Sequence, residues 1–141
     1  MKLRVLAVLA LPAFLGACGT ANDSPAAPAV TWESLQSDYL PKLQQNTSSK
    51  LICGFQSGVA DCLDRVHTDL NDLDNAAMEH LGVQAEPLSS KVAEFNSAHS
   101  LYVQGRCATA GGTLSCSTHL LKAENAARDV RELLSSKQSG N

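Results

Sequence analysis

The chain has 141 residues, of which 44% are hydrophobic, 18% charged and 4% aromatic, and its formal net charge is −3. This length suits one small domain and leaves no room for a large catalytic scaffold. The acidic balance argues against electrostatic attraction to nucleic acid, which requires a basic stripe, so we expect no nucleic-acid partner. Five cysteines in so short a chain indicate an oxidising compartment.

The first seventeen residues have the organisation of a signal peptide. Lys2 and Arg4 form a positive start, and residues 5–15 form an apolar run interrupted only by Pro12. This run is too short to span a bilayer core of about 30 Å, but it has the length of the apolar part of a signal peptide. We therefore predict that residues 1–17 are removed from the mature protein.

The apolar run ends in the segment Leu15-Gly16-Ala17-Cys18. This segment resembles the lipobox of bacterial lipoproteins, which consists of an aliphatic residue, two small residues and a cysteine. The resemblance implies that Cys18 becomes the diacylglycerylated N-terminus, with acyl chains such as palmitate, and anchors the protein to a membrane of the cell envelope on its extracytoplasmic side. The alternative is an ordinary secretory signal followed by an unmodified thiol. Lipidation is favoured because it leaves an even number of cysteines for disulfides.

Residues 18–30 are predicted to be a flexible tether between the lipid and the folded domain. Small residues dominate this segment, and Pro25 and Pro28 favour extended backbone. Such a segment reaches roughly 20 Å as a flexible chain and about 40 Å when stretched. The folded part is therefore expected to lie close to the membrane.

Residues 31–141 are predicted to form an all-α domain, a small disulfide-stapled bundle of about four helices arranged as two helical hairpins. The first helix begins after Thr31, a residue type that caps helix N-termini well. Its apolar face continues as far as Leu51. Pro41 lies inside this stretch and must kink or split the helix, because proline lacks a backbone donor and clashes with the preceding turn.

Three further helices follow from apolar residues spaced three and four apart. The second spans residues 57–81 and ends at Gly82. The third opens at Pro87, an allowed residue in a first turn, and is closed by Gly105. The fourth spans residues 115–136.

Cys53 and Cys62 have the same spacing as Cys107 and Cys116, and each pair lies at a junction between predicted helices. Local pairing closes two ten-residue loops, each worth about 2.7 kcal/mol in the chain-entropy model, whereas pairing Cys53 with Cys116 is worth about 4.3 kcal/mol. Both arrangements are compatible with a bundle. We favour local pairing because the repeated spacing suggests two self-contained hairpins. A redox or zinc site is disfavoured because the C-x-x-C spacing is absent.

The second helix carries six acidic residues against one arginine between positions 61 and 79. The simpler interpretation is a solvated helix face. The alternative is a docking surface for a basic partner. The residues of that candidate surface are Asp61, Asp64, Asp69 and Asp72.

Four histidines raise the question of a metal or haem site: His67, His80, His99 and His119. No pair of them has the H-x₃-H spacing of a helical metal site, and no C-x-x-C-H haem motif occurs. We therefore expect surface histidines, no metal ion and no cofactor. Because motifs for catalytic nucleophiles or paired catalytic carboxylates are absent as well, we expect no enzymatic activity.

Together these features predict a non-enzymatic, lipid-anchored protein of the bacterial cell envelope with a binding or structural role. Its expected partners are the membrane, through the lipid, and an envelope protein that the sequence does not identify. The alternative is an extracytoplasmic carrier of a small apolar ligand or lipid, held between the helices.

Overall fold

The computed structural model describes residues 29–44, 51–54, 58–109 and 113–137, and the signal peptide, Cys18 and most of the tether lie outside them. Within the described residues the fold is all-α, without strands, as predicted. Four α-helices and one short 3₁₀ helix follow one another along the chain: α1 at Trp32–Leu43, α2 at Val59–Leu81, the 3₁₀ helix at Gly82–Ala85, α3 at Glu86–Gln104 and α4 at Leu114–Ser136.

Side-chain caps define the starts of α1 and α4. The hydroxyl of Thr31 accepts from the backbone N–H of Ser34 at 3.3 Å, and the hydroxyl of Ser34 accepts in return from the N–H of Thr31 at 2.9 Å. At α4 the hydroxyl of Thr113 accepts from the N–H of Cys116 at 3.2 Å. These contacts satisfy backbone donors that the first helical turn leaves unpaired.

Pro41 lies in the last turn of α1, which ends at Leu43. The predicted continuation of this helix to Leu51 is wrong, because residues 51–54 are not helical. Proline lacks the backbone N–H that would donate to the preceding turn and clashes with that turn, and α1 ends two residues after Pro41.

Two disulfides staple the bundle, one in each helical hairpin. Cys53 is bonded to Cys62 and Cys107 to Cys116, with Cα–Cα distances of 5.6 and 5.3 Å. This is the local pairing, and the cross-pairing of Cys53 with Cys116 does not occur. Each bond ties the segment that precedes a helix to the first turns of that helix. A native disulfide of this kind contributes about 2–4 kcal/mol to the stability of a small domain.

The helices run alternately up and down. The Lys137 ammonium group lies 5.1 Å from the centre of the Trp32 ring, so the end of α4 lies beside the start of α1. Asp64, near the start of α2, bonds to His99, near the end of α3. Both disulfides therefore lie at one end of the bundle, which we call the disulfide end. The chain enters the bundle at the opposite end, where Val30 packs against the core.

The core is filled mainly by aliphatic side chains from all four α-helices. Removing each such side chain from water stabilises the fold by about 1.5–3 kcal/mol. The large side chains that are essentially inaccessible to solvent are Leu43, Leu63, Leu70, Leu73, Leu88, Val92, Phe95, Val130 and Leu134. None of the helices in the described ranges is long and apolar enough to cross a membrane.

A single carboxylate, that of Glu124 on α4, holds the segment that carries the first disulfide. Glu124 is 1% exposed. Its Oε1 atom accepts from the backbone N–H groups of Cys53 and Gly54, both at 2.8 Å, and its Oε2 atom accepts from the N–H of Ile52 at 2.6 Å. Three backbone donors that lie outside any helix are thereby satisfied inside the protein.

Replacing Glu124 by Gln is expected to lower the free energy of unfolding by about 2 kcal/mol. The amide NH₂ group of glutamine cannot accept a hydrogen bond, so it would face backbone N–H groups that now donate to a carboxylate oxygen. Urea unfolding with both disulfides intact measures this change. The matched control is Glu132→Gln on the same helix, whose side chain is 66% exposed and should change the value by less than about 0.5 kcal/mol. Equal effects of the two substitutions would contradict the role assigned to Glu124.

Candidate functional site

A pocket of about 270 Å³ opens at the disulfide end, between the start of α2 and the end of α3. We call it the disulfide-end pocket. It combines apolar walls with several polar groups, a combination typical of sites for small molecules. Its defining residues are Ala60, Asp64, His99, Tyr102, Val103 and Arg106.

His99 and Asp64 form the polar pair of this pocket. His99 is 8% exposed, and its Nε2 atom lies 2.9 Å from Oδ1 of Asp64. The imidazole ring stacks on that of His67 at 4.6 Å between centroids and on the ring of Phe95 at 5.9 Å. The expectation of surface histidines is therefore wrong for His99, which lies on the buried face of α3.

Tyr102 follows His99 on the same face of α3 and is 5% exposed. Burial raises the pKa of its phenol above the usual range, and the nearby Asp64 carboxylate raises it further. The hydroxyl is therefore protonated and able to donate at neutral pH.

Arg106 lies in the pocket wall and belongs to the C-terminal cap of α3. The N–H of Arg106 donates to the carbonyl of Val103 at 2.9 Å, and the N–H of Cys107 donates to the carbonyl of Tyr102 at 3.1 Å. These two bonds form a Schellman motif, in which the residue after the cap adopts the left-handed conformation and is usually glycine. Here that residue is Arg106, with a φ of 53°, and it is the only non-glycine residue of positive φ in the described ranges.

Gly105, predicted to close α3, is the C-cap itself and has an ordinary φ of −71°. A Cβ atom at this position would lie 3.1 Å from the sulfur of Cys107 and 3.1 Å from the carbonyl oxygen of Leu101. The glycine is therefore needed for close approach to the second disulfide, whereas the left-handed conformation belongs to the next residue. The disulfide and the cap together position Arg106.

The four acidic residues predicted as a docking surface have different environments. Asp64 bonds to His99, and the carboxylate of Asp69 lies 3.3 Å from the ammonium group of Lys42 on α1. Asp61 and Asp72 are exposed. Two of the four acids therefore have basic partners within the chain, and a docking surface made of all four stays a prediction.

A wider groove of about 640 Å³ runs between α3 and α4. Small side chains such as Ala93, Ser97 and Ala126 line it together with Lys122. We place the candidate site in the smaller pocket because that pocket combines two buried side chains bearing polar groups with a strained cationic residue.

Comparison with known proteins finds no family model that matches this chain, no similar curated protein and no similar solved structure. Across the described residues, no three side chains of His, Cys, Asp or Glu are arranged to hold a metal ion.

The sequence reasoning missed His99, Tyr102 and Arg106 as members of one site. A signal for His99 was present, since it lies four residues after Phe95 and three before Tyr102, which places it on the apolar face of the third helix. No comparable signal marked Arg106, because its left-handed conformation becomes apparent only with the geometry of the cap.

His67 is expected to make the stability of the bundle sensitive to acid. Burial lowers the pKa of its imidazole, the neighbouring His99 lowers it further, and Asp64 opposes these effects. Above about pH 6.5 the group is neutral in both the folded and the unfolded chain. Below that pH the unfolded chain takes up the proton more readily, so the free energy of unfolding should fall as the pH falls.

Urea unfolding at a series of pH values from about 7.5 to 5 tests this expectation. His67→Gln should flatten the decline below about pH 6.5, whereas the exposed His80→Gln should leave it unchanged. An identical decline in the wild type and in His67→Gln would contradict the assignment.

Proposed function

We propose that this chain is a non-enzymatic, lipid-anchored binding protein of the bacterial cell envelope, and that it binds at its disulfide end. The observation that supports this most directly is that the chain enters the bundle at one end and the pocket lies at the other. The chain enters at the end marked by Val30, and the pocket with its two polar buried side chains lies at the other end. A lipid on Cys18 would therefore place the pocket on the side facing away from the membrane.

The dimensions are consistent with presentation above a surface. α4 has 23 residues, which corresponds to a length of about 35 Å. The predicted tether adds roughly 20 Å of reach. The disulfide end would thus be held well beyond the lipid headgroups and within reach of other envelope components.

The chemistry of the pocket favours binding over catalysis. Cys107, which lines it, is in a disulfide, and the hydroxyl of Thr109 donates to the carbonyl of Arg106 at 3.2 Å. The phenol of Tyr102 has a raised pKa and is a poor nucleophile. Among the described residues of the pocket, none is an activated nucleophile. The carrier of a small apolar ligand remains the alternative, although a site with charged walls that opens at the surface suits it less well.

Photo-cross-linking in native envelopes tests the proposal. A photoreactive residue replaces either Leu114, 86% exposed at the disulfide end, or Val83, 77% exposed at the entry end. We expect adducts with an envelope component from position 114, fewer from position 83, and loss of both the membrane fraction and the adducts in Cys18→Ala. Equal labelling from the two positions, or membrane retention of Cys18→Ala, would contradict the proposal.

A further inference from the structure

We propose that the disulfide-end pocket binds a small zwitterion that carries one ammonium group, one carboxylate and a short apolar side chain, such as a neutral α-amino acid. This inference deepens the proposed binding function and rests on it. It follows from the charges, the strain and the size of the pocket.

The pocket contains one acid and one base that are not paired with each other. Asp64 uses Oδ1 to bind His99, and its side chain is 67% exposed, so the other oxygen is able to accept from an ammonium group. Arg106 has no ion pair among the described residues, and its guanidinium can bind a carboxylate. A ligand with both charges pairs with both residues, whereas a ligand with one charge pairs with one of them and leaves the other without a partner.

Tyr102 adds a second donor for the carboxylate. Its side chain is buried, and its hydroxyl is protonated at neutral pH. A protonated phenol at the pocket wall can donate to a ligand oxygen. His99 holds the Asp64 carboxylate in place through their hydrogen bond.

The backbone at Arg106 indicates that its side chain is used. Glycine adopts the left-handed conformation of the Schellman position without penalty, and arginine does not. A strained residue that lines a pocket and is held by its surroundings is typical of functional sites. A glycine at position 106 would fit the left-handed conformation but would lack the guanidinium. The strain is therefore consistent with a role for the guanidinium in the pocket.

The size and walls of the pocket limit the ligand. A volume of about 270 Å³ is slightly below the range of about 300–1,000 Å³ for drug-sized ligands. Ala60 and Val103 provide apolar surface beside the charged groups. These limits suit an amino acid with a short aliphatic side chain better than a peptide or a lipid.

Isothermal titration of the mature chain near pH 7 tests the inference with alanine, valine, leucine, methionine and phenylalanine. Two analogues of leucine, 3-methylbutylamine without the carboxylate and 4-methylpentanoate without the ammonium group, test the need for both charges. We expect at least one amino acid to bind, and each single-charge analogue of leucine to bind at least about ten-fold more weakly than leucine. Equal binding of 4-methylpentanoate and leucine, or no binding by any amino acid, would overturn the inference.

Arg106→Gly separates a ligand-binding role from a structural one. Because glycine suits the Schellman position, the variant should unfold at a higher temperature and yet bind the amino acid at least about ten-fold more weakly. The control Arg128→Gln lies on α4, where Arg128 pairs with Glu132, and should bind as the wild type does. Unchanged affinity in Arg106→Gly would overturn the assignment of Arg106. Failure of every amino acid, with cross-linking still stronger from position 114 than from position 83, would reject the ligand and keep the proposed function.

Discussion

The contact between the Glu124 carboxylate and three consecutive backbone N–H groups is the constraint on which the disulfide end depends. A buried carboxylate requires compensation, because its desolvation costs several kcal/mol unless hydrogen bonds replace water. Ile52, Cys53 and Gly54 supply that compensation. Because Cys53 is bonded to Cys62, the same contact ties α4 to the start of α2 through a non-helical segment. One side chain thereby connects both helical hairpins.

A second set of polar contacts runs along the interface between α2 and α3. Asn96 donates to Asn71 at 2.8 Å, and the hydroxyl of Ser89 donates to the carboxylate of Asp74 at 3.2 Å. Together with the bond between Asp64 and His99 they follow the antiparallel register of the two helices. Paired polar groups of this kind favour one register over others, because a shift of one turn would leave each of them unpaired. The disulfide-end pocket lies where this line of polar contacts reaches the end of the bundle.

The sequence was sufficient for the helices whose apolar spacing is regular and for the two matched cysteine pairs. It was insufficient where the deciding partner lies far away in the chain. Glu124 lies on the apolar face of α4, between Leu120 and Ala127, and this was a signal that a buried acid was present. Its partners lie 70 to 72 residues away, so the spacing alone could not name them. In contrast, the disturbance of α1 by Pro41, two residues before its end at Leu43, follows from local chemistry.

The central claim is that Glu124 fixes the segment that carries the first disulfide, and native-state hydrogen exchange of the backbone amides tests it most directly. The account predicts that the amides of Ile52 and Gly54 exchange at least about a hundredfold more slowly than in an unfolded chain, although they lie outside any helix. In Glu124→Gln this protection should fall at both amides. The amides of Val92 and Phe95 in α3 should remain better protected than those of Ile52 and Gly54 in the same variant. Exchange of Ile52 and Gly54 at nearly the unfolded rate in the wild type would contradict the claim.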